Sequence, residues 1–330
     1  MGYHQILKTA TSSLNEKQAK TIFSEYDLGE VSGFKPASQG KETTNYYIST
    51  GTREYVLTLL EKNGQLNPVL KPLLASCTEA GLPVPRLFPN RAGAFQGSFK
   101  NRPVFVRSRM QGRHVFDPTI AQCASTGRFM ARFHNANSSR MVESQPVNTD
   151  FLDQQANRVY GYMPPADARL LEDSIGSIRS MLRRTDVQNL PRGVIHGALF
   201  RSNVLFNERG LSGAPDFHQA GYGYWVFDLA IAVNDWCINS RGESNHNKTL
   251  ALITAYDQIR SLTREEFWYL PLFMSFAAVS IWLKHLVRNP VGNPNGGAGT
   301  GLKNSRQFRE IVALHASRPF HLDERLLQRS

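Results

Sequence analysis

The sequence predicts an α+β chain in which a strand-rich first third gives way to a largely helical remainder, and three observations predict it. First, β-branched and aromatic residues cluster in residues 44–50 and again in 54–60, with Gly51-Thr52-Arg53 between them, the signature of a hairpin. Second, beyond Met110-Gln111-Gly112 apolar residues recur at helical spacing in 119–135, where Ile120, Cys123, Met130 and Phe133 share a stripe. Third, the stretch from Gly193 to Phe217 interrupts the helical pattern with short β-rich runs joined by polar loops.

The elements follow in order. Ser13 with Glu16 reads as a capping box that opens a helix running through Ile22 and Tyr26. After the hairpin a helix is expected over 68–80, broken at Gly81, with Pro83 and Pro85 marking a loop. Short strands are expected near 92–95 and 103–109. Met110-Gln111-Gly112 is a candidate hinge, dividing residues 1–110 from 111–330. Helices then cover 119–135, 166–183, 226–238, 248–259, 265–288 and 305–314, with Thr263 and Glu266 forming a second capping box. Residues 289–301 are rich in Gly, Asn and Pro. Their Gly-Ala-Gly-Thr-Gly follows a helix and lacks a Gly-Lys-Ser/Thr ending, so it reads as a loop and not as a phosphate cradle.

Composition narrows the function classes. A chain of 330 residues has room for one large or two medium domains, and 41% hydrophobic with 20% charged residues is ordinary for a soluble globular protein. The most apolar window, 270–283, is interrupted by Pro271, Ser275 and Ser280, so it is expected to be a buried helix and not a membrane span. The first residues lack the apolar core of a signal peptide. Three cysteines, Cys77, Cys123 and Cys237, lie too far apart for a metal-binding cluster or a disulfide framework, which fits a reducing cytoplasm. The net charge of +11 comes from dispersed Lys and Arg with no basic run, which reads as a basic surface and not as a nucleic-acid site.

The chemistry concentrates between Val194 and Trp236. Val194-Ile195-His196-Gly197 reads as a strand entering a sharp loop, residues 203–206 as the next strand, and 211–217 as a third that carries Asp216. This delivers His196, Asn203 and Asp216 toward one another. One carboxylate and one amide oxygen are hard ligands of the kind Mg²⁺ takes beside phosphates. His218 would share the face of Asp216 on a strand, or be a partly exposed loop histidine.

The stretch VIHGALFRSNVLF, followed by PDF and FDLAIAVNDWC, resembles the aminoglycoside phosphotransferase and choline kinase superfamily, and within it the bacterial homoserine kinases. Those proteins typically read H-G/A-D-L-F-R-D-N-V-L-F, then D-F, then F-D-L-A…N-D-W-C. Residues 40–46, 54–62, 81–85 and 130–134 match other family segments, so the resemblance spans most of the chain. It implies a bilobal protein-kinase-like fold, with a small N-terminal antiparallel-sheet lobe for nucleotide and a larger, mostly helical C-terminal lobe for catalysis and substrate.

The resemblance also implies roles. Gly40 and Asn45 would cover the ATP phosphates. Thr58 stands where many relatives carry a phosphate-binding lysine, although homoserine kinases often have threonine there. Arg107 and Met110 would belong to the segment lining the adenine pocket, and Asn203 and Asp216 would hold Mg²⁺. Asp228 and Asp235 would support the catalytic loop or face the substrate; as bare sequence, either could cap a helix or lie on the surface. The departures are equally specific. Ala198 takes the position of the catalytic aspartate, Ser202 that of a second aspartate, and Pro215 that of an apolar residue. Lys284-His285 stand in a W-L-S-R-L pattern, with His285 in place of arginine.

The resulting expectation is a homoserine-kinase-like phosphotransferase acting with ATP and Mg²⁺ on a small amino acid alcohol, its base position emptied at 198. His196, His218 and Asp235 are the nearest candidates in the sequence to substitute for it. The alternative expectation is an inactive member of the fold that binds nucleotide or amino acid and works through a protein partner.

Overall fold

The structure is a computed structural model, and it describes residues 14–39, 43–51, 53–60, 66–140, 148–238, 243–288 and 305–317. Ser13, Gly40 and the Gly-Ala-Gly-Thr-Gly segment lie outside these residues. The chain divides into two compact units, Met1–Lys71 with Pro85–Arg109, and Pro72–Val84 with Met110–Ser330.

The first unit contains α1 (Glu16–Phe23), β1 (Val31–Gln39), β2 (Thr43–Thr50), β3 (Glu54–Leu60), the start of α2 (Leu70–Glu79), β4 (Leu87–Phe88), β5 (Gly97–Phe99) and β6 (Arg102–Ser108). Its sheet is antiparallel throughout, ordered β1-β2-β3-β6-β4, with β5 on β6. The expected hairpin is β2–β3. Along β2 the side chains of Thr44, Tyr46, Ile48 and Thr50 turn inward in strict alternation, as a sheet with one covered face requires. Tyr46, Ile48, Leu57, Leu59, Val104 and Val106 form a core with Ala19, Ile22 and Phe23 of α1.

The cap of α1 differs from expectation. Asn15 Oδ1 accepts from the Gln18 amide at 2.9 Å and Gln18 Oε1 from the Asn15 amide at 3.0 Å, so the box begins two residues later than Ser13. The strand expected near 92–95 is instead a turn, because Asn90 Oδ1 accepts from the amides of Ala92 and Ala94 at 3.1 and 2.9 Å. β1 escaped the sequence reading because Gly33 and Pro36 disguise it. It is an edge strand with two bulges, where proline is tolerated.

The second unit takes the rest of α2, which Gly81 ends at φ +65°. It continues with α3 (Ile120–Ala136), α4 (Thr149–Asn157), α5 (Pro165–Leu182), α6 (Thr185–Gln188), β7 (Arg192–Ile195), β8 (Leu205–Asn207), β9 (Gly210–Gly213), β10 (Gly221–Tyr224), α7 (Trp225–Trp236), α8 (His246–Asp257), α9 (Arg264–Arg288) and α10 (Ser305–Ser317). β7 pairs with β10 and β8 with β9, both antiparallel. The strand expected over 211–217 stops at Gly213, and Pro215 lies in the irregular segment that follows.

Helix α3 packs closely on α8 at Gly127, where a Cβ would fall 2.1 Å from the Leu252 carbonyl oxygen. The capping box at the start of α9 forms as expected, with Thr263 and Glu266 exchanging two hydrogen bonds of 3.1 Å. By length and composition Arg264–Val287 would suffice to cross a membrane, yet 67% of its apolar window is buried inside the fold, as the sequence reading of 270–283 anticipates. Its neighbours are α5, α7 and α10.

Candidate active site

The loop from His196 to Asn203 is suspended from α7. Strand β7 delivers the chain to His196, and its partner β10 runs directly into Trp225, the first residue of α7. Gly197 adopts φ +70°, and a Cβ there would lie 2.6 Å from the Gln219 carbonyl oxygen, so only glycine fits this turn. Asp228, fully buried in the first turn of α7, accepts the His196 amide on Oδ2 at 2.7 Å and the Gly197 amide on Oδ1 at 2.9 Å. Two helical turns later Asp235 Oδ2 accepts the Arg201 amide at 2.7 Å and Arg201 Nε at 3.3 Å. The Trp236 indole donates to the Leu199 carbonyl at 2.8 Å. Three side chains of one helix therefore satisfy backbone groups at both ends and the middle of the loop.

Behind Asp228 lies a buried relay. His134 Nε2 is 3.1 Å from Asp228 Oδ2, and His134 Nδ1 is 2.7 Å from the Tyr256 hydroxyl. Burial holds His134 below the usual histidine range, so the neutral ring donates from Nε2 to Asp228 and accepts at Nδ1 from Tyr256. Burial alone would raise the Asp228 carboxyl. Hydrogen bonds from His134 and the His196 amide outweigh it, and the group stays below the usual carboxylate range. Burial pushes the Tyr256 hydroxyl well up, which keeps it a proton donor.

His196 points its ring away from solvent. It is 1% exposed, packed 4.6 Å from the Phe217 ring and 6.0 Å from Phe133, and neither ring nitrogen has a hydrogen-bond partner. Burial lowers its pKa, so the ring is a neutral member of an aromatic cluster. Asp235 is likewise committed to Arg201.

The loop's own side chains are chemically sparse. Ala198 is 4% exposed and offers a methyl group, while its carbonyl accepts from the Phe200 amide at 2.7 Å and from Asn203 Nδ2 at 2.9 Å. Asn203 Oδ1 accepts from Ser202 Oγ at 3.4 Å. Asp216 Oδ1 is 2.5 Å from His218 Nδ1 and accepts the His218 amide at 3.2 Å, so the two are paired on a loop and not along a strand. Among the described residues no group of three or more His, Cys, Asp or Glu could enclose a metal.

The other expected residues fall on both units. Asn45 and Thr58 face each other across β2 and β3, and Thr58 Oγ1 donates to Asn45 Oδ1 at 2.7 Å. Arg107 is on β6, opposite Val56. Met110 packs against Gly213, where a Cβ would meet its Cε at 3.0 Å. The neighbouring chain is stitched to the β8–β9 hairpin, with Ser212 Oγ donating to the Gln111 carbonyl at 2.8 Å and Arg113 bridging Phe206. Sequence reasoning gave no role to His134, Tyr256 or Trp236. The spacing of Asp228 and Asp235, which puts them on one helix face, was the signal available.

An antiparallel-sheet unit followed by helices that carry a pinned strand-to-loop turn is the fold of the small-molecule kinases. Amicoumacin kinase, solved in complex with AMP-PNP and Ca²⁺, matches with a TM-score of 0.72 at 13% identity, covering 93% of this chain and 95% of its own. A microcompartment-associated aminopropanol kinase matches with a TM-score of 0.68 at 16% identity over 92% of this chain and 94% of its own. Residues 33–262 match the phosphotransferase enzyme family, and the chain belongs to that family. It is homoserine-kinase-like: it is 33% identical to the homoserine kinase of Methylobacillus flagellatus over 87% of this chain and 89% of that protein. It is 32% identical to that of Pseudomonas aeruginosa over 83% of this chain and 87% of that protein.

Proposed function

We propose that this protein transfers the γ-phosphoryl group of ATP to the hydroxyl of homoserine or a closely related small amino acid alcohol, slowly, because position 198 offers no base. The observation that carries the reading is the attachment of the loop to α7. Asp228, Asp235 and Trp236 fix the backbone of residues 196–201 although the loop has no carboxylate of its own. Phosphoryl transfer depends mainly on positioning and on neutralising phosphate charge, so a loop held in place retains most of what the reaction needs. A general base contributes a further factor of roughly 10²–10⁴, the factor we assign to the missing aspartate.

In this reading residues 1–110 bind nucleotide, with Gly40, Asn45 and Thr58 on the phosphate side and Arg107 and Met110 on the adenine side. Residues 111–330 carry catalysis and the acceptor. Asn203 and Asp216 would hold Mg²⁺, which when bound neutralises charge on the phosphates. Three free, buried cysteines suit a reducing cytoplasm. Ala198 and Ser202 favour a second reading, a nucleotide-binding protein that acts through a partner.

One experiment separates the two. The purified protein and Ala198→Asp are incubated with Mg²⁺-ATP and a panel of amino acid alcohols, and phosphorylated product is followed by ³¹P NMR. Slow transfer by the natural protein and faster transfer by the variant support the proposal. Turnover only in Ala198→Asp selects the second reading, and failure of both proteins to bind ATP removes the nucleotide site altogether.

A further inference from the structure

The relay behind Asp228 does not end at Tyr256. The turn between α8 and α9 carries Arg260, whose side chain is folded inward against the fully buried Glu266. Arg260 Nη2 donates to Glu266 Oε1 at 2.9 Å and to Oε2 at 3.1 Å. Glu266 is itself fixed by the capping box that opens α9. The guanidinium lies over the Trp225 ring, with Cζ 4.2 Å from the centroid, and 5.6 Å from the centroid of Tyr256. His134 touches the same two rings. Its imidazole stacks on Trp225 at 5.6 Å with an interplanar angle of 17°, and meets Tyr256 edge-on at 5.6 Å. A second tie runs alongside: Asn135 Nδ2, next to His134 on α3, donates at 3.2 Å to the carbonyl of Ile259, next to Arg260.

The energetics of this cluster point away from a purely stabilising role. Taking a guanidinium and a carboxylate out of water is expensive, and well-packed apolar side chains of similar volume often hold such a corner as well or better. What an apolar pair cannot do is set a planar cation against two aromatic rings. Trp225 opens α7 three residues before Asp228. Asp228 Oδ2 takes both the His134 ring at 3.1 Å and the His196 amide at 2.7 Å, so a shift of the ring is passed to the carboxylate that holds the loop.

We propose that Arg260 is a positioning residue for the loop of residues 196–203. Clamped by Glu266, it fixes Trp225 and Tyr256, and through them the His134 ring that aligns Asp228 on the His196 and Gly197 amides. Its effect on the rate rests on the phosphotransferase reading; its effect on the loop does not.

The test is amide hydrogen exchange of the full chain, followed by NMR, in the natural protein, in Glu266→Gln, and in Glu266→Gln combined with Arg260→Met. Glutamine can still complete the capping box and accept from Arg260, so the single variant should keep the loop amides protected. The double variant leaves no buried charge unpaired. In it the His196 and Gly197 amides should exchange about tenfold faster or more, the scale of one hydrogen bond to a charged group, while amides elsewhere in the fold and the urea midpoint stay nearly unchanged. Phosphoryl transfer should slow by a similar factor in kcat, with the affinity for a non-hydrolysable ATP analogue unaltered. Loop amides that stay protected in the double variant overturn the proposal. So does protection lost evenly across the chain together with the urea midpoint, which is the mark of a structural role alone. Loosened amides at an unchanged rate overturn it as well. Selective loosening in a natural protein that transfers no phosphoryl group supports the positioning and counts against the phosphotransferase reading only. Should the double variant fail to fold, Arg260→Lys, which keeps the charge and loses the planar stack, is read by the same criteria.

Discussion

Helix α7 and the loop it holds between His196 and Asn203 contrast sharply. On the side facing α7, the polar groups are matched: two amides on Asp228, one on Asp235, a carbonyl on Trp236, and a histidine–tyrosine relay behind them. The loop itself offers only a methyl group and a hydroxyl at positions 198 and 202. The comparison teaches that the carboxylates that hold this loop are separable from the one that, in the proposed reaction, would act on the acceptor. The former are buried and structural, so their loss costs folding stability; the latter would act on a ligand, so its absence is compatible with an intact fold.

Three substitutions sharpen or break that contrast. The largest effect belongs to Ala198→Asp, which should raise the rate of phosphoryl transfer by about 10²–10⁴-fold. It should also cost about 1–3 kcal/mol of stability, because a polar group enters a nearly buried position. Unchanged turnover would break the assignment of position 198. Next, Asp228→Ala strips the partner from two loop amides and from His134, and should lower the unfolding free energy in urea by about 3–5 kcal/mol. A loss below about 1 kcal/mol would mean the loop does not hang from α7. Gly197→Ala forces a side chain into a left-handed turn against the Gln219 carbonyl, with an expected cost of about 1–3 kcal/mol in the same assay.

The smallest effect is one of pH. An unfolded chain protonates His134 and His196 below about pH 6.5. In the folded protein burial keeps both rings neutral at that pH. Unfolding then takes up protons, so stability falls as the pH drops below about 6.5 and is independent of these rings above it. Asp228 adds to acid loss only lower down, because its folded pKa is already below the ordinary 3.8. Comparing urea midpoints at two pH values on either side of this transition should show a gap that narrows in His196→Phe, which also removes two buried nitrogens that lack partners. A gap that does not change would show that the ring is protonated in the folded state.

Much of this was legible in the sequence where one strong local rule applied. The β2–β3 hairpin, the capping box at Thr263 and Glu266, and the burial of α9 follow from alternation, side-chain spacing and interrupted hydrophobicity. The reading faltered where tertiary context overrules local preference. β1 contains Gly33 and Pro36 and pairs because an edge tolerates them. The strand ahead of Asp216 ends early at Gly213, and the carboxylate turns onto His218.

By itself the sequence determined the β2–β3 hairpin, the helical character of the C-terminal part, the family, and the absence of a carboxylate at 198, because each is a property of residue identity and spacing along one chain. Only the tertiary structure decided which carboxylates hold the loop and that His196 is a core ring. Those facts join residues far apart in the sequence, such as Asp228 with Gly197, 31 positions away, and with His134, 94 positions away. Burial and hydrogen-bond direction at such separations are set by packing, on which local sequence pattern is silent.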